Sequence, residues 1–129
     1  MVTQLVIIGA GGFGREVLDI CEACNAVTPT FDVLGFIEDP LAEPVGTLVN
    51  DQPILGDFSW LARHVSAAHA VCAVGTPQVR RRLVLRAAEL GCTFANVIHP
   101  AAILTCWVTL GQGVVIAAGN ILSNQIRIG

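Results

Sequence analysis

The sequence predicts an α/β protein. A small Rossmann-like parallel sheet domain is expected over residues 1–95, followed over residues 96–129 by an incomplete parallel β-helix of about two coils. Three observations lead there. The chain opens on an aliphatic strand, a glycine-rich turn and a helix, "LVIIGAGGFGREVLDI". Strand-like and helix-like segments then alternate, which argues for a parallel sheet crossed by helices. In the last third, aliphatic residues recur every six positions, the period of a hexapeptide β-helix.

Leu5–Ile8 is a short aliphatic run bounded by glycine, as a buried parallel strand requires. From Gly12 to about Ala26 a helix follows, with Val17, Leu18 and Ile20 supplying apolar surface. Phe31–Ile37 is a second strand, ended by Glu38-Asp39-Pro40. Leu41 to Pro53 carries prolines, Gly46 and acids, and reads as a loop. "PILGDFSWL" is a short strand leading into a helix with Asp57 as N-cap. Ala70–Val74 is a strand, and Gly75-Thr76-Pro77 opens the next helix, with Thr76 as N-cap and Pro77 at the first helical position. Val79, Leu83, Ala87 and Leu90 form the apolar stripe of that helix, Gly91 stops it, and Thr93–Ile98 is the next strand.

The six-residue column runs Ile98, Leu104, Leu110, Ile116, Leu122, Ile128, all Ile or Leu. A second column, four residues on, reads Ala102, Val108, Val114, Asn120, Ile126. A helix is excluded there, because Gly111, Gly113 and Gly119 would each cost about 1 kcal/mol. In a hexapeptide β-helix each hexad makes one face of a triangular prism, its aliphatic residue pointing inward. Two β-hairpins turning at the glycines are the plainer alternative. Trp107 is expected to pack at a corner or against another subunit.

Composition narrows the function classes. Hydrophobic residues make up 53% and charged residues 13%, enough for a core and a buried subunit interface. With a net charge of −3, a general nucleic-acid surface is not expected. No run resembles a membrane span, and no basic leader precedes an apolar stretch. The five cysteines, an odd and scattered set, are not a disulfide framework and point to a reducing cytoplasm. The Cys21-x-x-Cys24 pair lies late in a helix with no second pair, so neither zinc nor redox chemistry is expected of it.

The candidate site starts at the glycine loop. Gly9, Gly11, Gly12 and Gly14 let a phosphate approach the backbone at a helix N-terminus, where free N–H groups and the helix dipole favour anions. Glu38 and Asp39, at the end of the second strand, can accept hydrogen bonds from ribose hydroxyls or a uracil N–H, a feature that NAD sites share. Arg15 follows the loop directly. Arg80, Arg81, Arg82 and Arg86 share one helix, and Arg81 is the candidate to face a diphosphate. His64 and His69 read as surface residues.

These motifs in this order resemble the sialic acid O-acetyltransferase and bacillosamine N-acetyltransferase family of hexapeptide-repeat sugar acyltransferases. "GAGGFG" (Gly9–Gly14) is similar to the family's glycine loop, with Phe13 where His is common; "FIED" (Phe36–Asp39) is similar to a segment that contacts the nucleotide. "AVGTPQVRRRL" (Ala73–Leu83) is similar to the segment beside the sugar-nucleotide cleft, which adds Gly75 to the candidates, and "NVIHPAAIL" (Asn96–Leu104) to the entry into the β-helix. The resemblance implies a left-handed β-helix, a UDP-sugar or related nucleotide sugar as ligand, acetyl-CoA as co-substrate with no tightly bound cofactor, and trimers formed through the β-helix.

In that family the base is a histidine in a later coil, and later coils build most of the acetyl-CoA groove. His64, His69 and His99 do not stand at that place, and His99 matches the structural "HP" of the entry. The expectation is therefore the N-terminal nucleotide-sugar-binding part of a sugar O- or N-acetyltransferase, with no catalytic residue and no metal site of its own. Two other readings stand beside it: a non-catalytic nucleotide-binding and oligomerisation module, and an NAD-binding oxidoreductase fragment. The last is disfavoured because the chain has neither lysine nor tyrosine as proton donor.

Overall fold

Leu5, Val6, Ile7 and Ile8 are all buried, so the strand that carries them must be covered on both faces. In the computed structural model this strand, β1 (Thr3–Ile8), is the centre of a six-stranded sheet. The structure describes residues 2–104, 108–119, 121–122 and 127–128. The chain continues through α1 (Gly12–Val27), β2 (Phe31–Ile37), β3 (Leu48–Val49), β4 (Gln52–Gly56), α2 (Phe58–His64), β5 (His69–Cys72), α3 (Pro77–Glu89) and β6 (Thr93–Phe94). The sheet order is β3-β4-β2-β1-β5-β6, parallel throughout except for the β3–β4 hairpin at one edge.

Alternation along β1 divides the core in two. Leu5 and Ile7 pack with Val17, Leu18 and Cys21 of α1, with Phe36 and with Val71. Val6 and Ile8 pack on the other face with Phe58 and Leu61 of α2, Ala70, and Leu83 and Ala87 of α3. Each large side chain so buried contributes roughly 1.5–3 kcal/mol. Asn25 ties the end of α1 to the next strand: its amide donates to the Phe31 carbonyl (2.8 Å) and accepts from the N–H groups of Thr30 and Phe31 (2.9 Å each).

The helices begin where expected. Asp57 caps α2 by accepting from the Ser59 N–H at 2.9 Å. Thr76 is the N-cap of α3 with Pro77 at its start, although the Thr76 side chain makes no capping bond. Gly91 follows α3 with φ +88, as the stop signal requires.

Two elements differ from the expectation. The stretch expected as loop from Leu41 to Pro53 contains a hairpin, because Asn50 and Asp51 both take left-handed conformations (φ 48 and 67) and make a two-residue turn between β3 and β4. The single strand expected over Thr93–Ile98 is two. Thr93–Phe94 joins the large sheet beside β5, and Val97–Ile98 leaves it as β7.

From β7 onward short strands pair at a constant offset. β7 (Val97–Ile98) pairs with β10 (Val115–Ile116), β8 (Ile103–Leu104) with β11 (Ile121–Leu122), and β9 (Thr109–Leu110) with β12 (Arg127–Ile128). All three pairs are parallel, and every partner lies eighteen residues on: Val97 with Val115, Ile103 with Ile121, Thr109 with Arg127. The backbone register places Ile98 beside Ile116, Leu104 beside Leu122 and Leu110 beside Ile128, so the six-residue column stacks on itself. Cys106, Trp107, Asn120 and Ile126, read from the sequence as loose thiol, corner and column positions, lie outside the described residues.

Asn96 holds the start of this segment. Its Nδ2 donates to the Gly111 carbonyl and its Oδ1 accepts from the Val114 N–H, both at 2.9 Å. Val97 is wholly buried with the α1-side core, and the Cys24 thiol donates to the Ile98 carbonyl at 3.1 Å. The segment is thus docked on α1.

Candidate functional site

β1 has β2 on one side and β5 on the other, so the chain reverses its direction of winding at β1. Ligands of open parallel sheets bind outside the carboxyl ends of the strands at such a point. Three strand ends meet there. The Gly9 N–H donates to the Ile37 carbonyl (2.8 Å), the Ala73 N–H to the Ile8 carbonyl (2.8 Å), and the Glu38 N–H to the Gly56 carbonyl (3.0 Å). Gly9, Glu38 and the Ala73–Gly75 turn therefore emerge side by side.

The glycines of the loop divide by what they touch. Gly9 (φ +107) lies so close to β5 that a Cβ would sit 2.8 Å from the Ala73 carbonyl oxygen. A Cβ on Gly14 would run into the Gly9 carbonyl oxygen, so this glycine seats α1 on the strand. Nothing lies within 4 Å of a Cβ added at Gly11, Gly12 or Gly75. Gly11 is the N-cap of α1 and offers no side-chain cap, and the first turn holds no acid. The first intrahelical bond runs from the Arg15 N–H to the Gly11 carbonyl (3.1 Å), which leaves the N–H groups of Gly12, Phe13 and Gly14 without helical partners. The loop is thus an open stretch of backbone with free donors and a positive dipole end.

The two acids at the end of β2 separate. Both carboxylate oxygens of Asp39 are engaged: Oδ2 accepts from the Phe58 N–H at 3.2 Å and Oδ1 from Arg86 Nη1 at 3.3 Å. The Arg86 guanidinium also lies 4.7 Å from the centre of the Phe58 ring. Asp39 therefore anchors α2 and α3 to the strand end. The partly exposed Glu38 carboxylate makes no hydrogen bond among the described residues. Nothing in the sequence pattern distinguished them, because Arg86 is 47 residues from Asp39.

The other candidates stand apart. Arg15 is exposed, and its Nε lies 3.5 Å from the Gly11 carbonyl, folded back over its own loop. Phe13 is half-buried against the α1-side core and lines a groove of about 380 Å3 with Glu16, His99 and Val115. Arg81 is exposed on α3 and lines a different groove, shared with Arg80 and Phe94 and with none of the loop glycines. His99 is built into a turn: its Nδ1 accepts from the Ala101 N–H (2.9 Å) and its carbonyl from the Ala102 N–H (2.9 Å). His64 stacks on Trp60 with ring centres 3.8 Å apart.

Burial pushes the Cys21 thiol up to about 12, with Cys24 and Glu22 adding to it, and burial raises Cys24, Cys72 and Cys92 as well. These thiols are protonated at neutral pH and are not poised as nucleophiles. Among the described residues no group of three or more His, Cys, Asp or Glu could hold a metal ion, and no helix is long and apolar enough to cross a membrane.

A family model, the PglD N-terminal domain, matches residues 4–87. Among solved structures, a His→Asn mutant of perosamine N-acetyltransferase from Caulobacter crescentus, in complex with CoA and GDP-perosamine, is 29% identical with a TM-score of 0.82. The match covers 98% of this chain and 57% of that one. The acetyltransferase domain of PglB from Neisseria gonorrhoeae, in complex with acetyl coenzyme A, is 28% identical with a TM-score of 0.72, over 98% of this chain and 62% of that one. The chain thus spans less than two thirds of the length of these relatives. No protein of curated function matches it.

Proposed function

The chain belongs to the PglD N-terminal domain family, and from that premise we propose that it is the nucleotide-sugar-binding part of a sugar acetyltransferase. One observation carries the reading. Gly11 and Gly12 have open space where a Cβ would be, at a helix N-terminus with unpartnered N–H groups, and an uncommitted carboxylate, Glu38, emerges on the neighbouring strand. A diphosphate on the loop takes the free N–H groups of Gly12, Phe13 and Gly14, and Arg15 lies close enough to add charge. Glu38 accepts from ribose hydroxyls or from a base N–H, and Gly75 leaves room on the β5 side. Asp39 serves this site only indirectly, by anchoring α2 and α3 to the strand end, and Arg81 lies in a different groove. The relative from Caulobacter holds a guanosine diphosphate sugar, so GDP stands beside UDP as the nucleotide to test.

Residues 1–95 form the nucleotide-binding unit in this reading, and residues 96–129 begin a left-handed parallel β-helix. An offset of eighteen residues is three hexads, one full coil of such a helix. Coils need neighbours on both faces, which favours self-association through this part, and the family resemblance implies that the assembly is a trimer. In the complete reaction the sugar amine or hydroxyl loses a proton to a base and attacks the acetyl thioester, and CoA leaves as the thiol. His99 matches the structural entry rather than the family's later-coil base, and its Nδ1 accepts from the Ala101 N–H in a turn, so this reading assigns residues 1–129 the nucleotide-sugar site and no base of their own.

Thermal unfolding with UDP, GDP, NAD and acetyl-CoA, each in turn, tests the proposal. A ligand at about 100 times its Kd adds roughly 2.7 kcal/mol and raises the midpoint by several degrees. A rise with UDP or GDP, abolished by Gly12→Asp, supports it. A rise with NAD alone transfers the site to a dinucleotide, and no rise with any of them removes the binding function.

A further inference from the structure

On the face of the sheet opposite α1, a groove of about 440 Å3 runs between α3, the ends of β5 and β6, and the Gln112–Gly113 turn. Its floor is apolar, made by Cys72, Val84 and Phe94, and Arg80 and Arg81 stand on its rim. No residue of the glycine loop lines it.

Folding alone does not account for these arginines. Arg80, Arg81 and Arg82 are three consecutive cations at the fourth to sixth positions of α3, a helix whose first turn holds no acid. Among the described residues the one salt bridge is Arg86–Asp39, so Arg80 and Arg81 have no carboxylate partner. The chain as a whole is acidic, with a net charge of −3, so the patch is a local concentration rather than a share of general basicity. Local conflicts of this kind gather at functional sites. Guanidinium groups match phosphate oxygens in a bidentate fork, and an apolar floor beneath them accepts a flat ring.

We infer that the α3–β6 groove binds a phosphorylated ligand carrying a flat apolar group, at a site separate from the glycine loop. The groove draws its walls from both α3 and the turn before β10, so its occupant bridges the large sheet and the segment that follows it.

The test is a titration of the ¹⁵N-labelled chain with p-nitrophenyl phosphate and, separately, with inorganic phosphate, read at the Val84 and Gly113 amides. The aryl phosphate is expected to shift these amides and to bind several-fold tighter than phosphate. Because both arginines are exposed, the R80Q/R81Q double variant keeps the fold, and its affinity should fall by about tenfold or more. Gly12→Asp, which disables only the loop, should leave the titration unchanged. Loss of binding in Gly12→Asp would merge the groove with the nucleotide site and overturn its separateness. Equal affinity for both probes, indifference to R80Q/R81Q, or the absence of shifts at millimolar probe would overturn the site itself.

Discussion

The large sheet and the hexad segment are built from the same aliphatic residues and end up differently buried. Leu5 to Ile8 are at most 1% exposed, held between two helical layers. In the hexad segment Val97 reaches the α1-side core, Val114 and Ile116 are buried outside it, Ile98, Leu104 and Leu110 are only half-buried, and Ile103 is 55% exposed. The sheet completes its own core. The segment borrows from α1 at its first strand and thereafter pairs its short strands eighteen residues apart. Stability is accordingly graded along the chain, highest in β1 at the centre of the sheet and falling away beyond β7.

Gly14→Ala attacks the strong side and should have the largest effect. Its Cβ meets the Gly9 carbonyl, and because both atoms belong to fixed backbone a loss of about 3–5 kcal/mol is expected in urea unfolding. Gly12→Ala, two residues away in open space, is the control and should change stability by less than about 1 kcal/mol. Next comes Ile116→Ala, expected to cost about 2–4 kcal/mol, while Ile103→Ala should stay within about 0.5 kcal/mol. If the two cost the same, the six-residue column does not define the inside of the segment.

Asn96→Ala leaves the Val114 N–H and the Gly111 carbonyl without their partner and should cost about 1–3 kcal/mol. Hydrogen exchange should quicken at Val114 and leave β1 unchanged, if the clasp serves the segment alone. A further effect, confined to alkaline pH, lies in the thiols. Their folded pKa values are raised, Cys21 from an ordinary 9.0 to about 12, so the unfolded chain ionises first. Their contribution is complete below pH 9 and is lost as pH climbs towards 12. The unfolding midpoint should drop over that window, and Cys21→Ala should flatten the drop. Arg86→Ala comes last. The Arg86 side chain of the pair is 49% exposed, so the loss should be below about 1 kcal/mol and should shrink further in high salt.

The glycine loop was legible because two constraints coincide in one stretch: an aliphatic strand that must be buried, and glycines whose positions fix how α1 leaves it. The place of Glu38 and Asp39 at the end of β2 was legible because they are the first polar residues after an apolar strand. The hairpin at Asn50-Asp51 was not, since prolines and acids around it mask a two-residue turn that depends on left-handed backbone. The break within Thr93–Ile98 was legible only in part: the boundary at residue 96 follows from the Asn96–Leu104 stretch, but one polar residue, Asn96, does not by itself show that Thr93–Phe94 and Val97–Ile98 pair in different sheets. The engagement of Asp39 by Arg86 and the place of Arg81 in a separate groove are products of tertiary packing, invisible to any local pattern.

Helix α1 spans 16 residues, a rod of roughly 24 Å. Its first turn carries the glycine loop, and its far half holds the next segment through Cys24, whose thiol reaches the Ile98 carbonyl, and through Val97 packed in the same core. No hinge separates the two attachments. The glycine loop and the first of the short paired strands are thus held at opposite ends of one continuous helix.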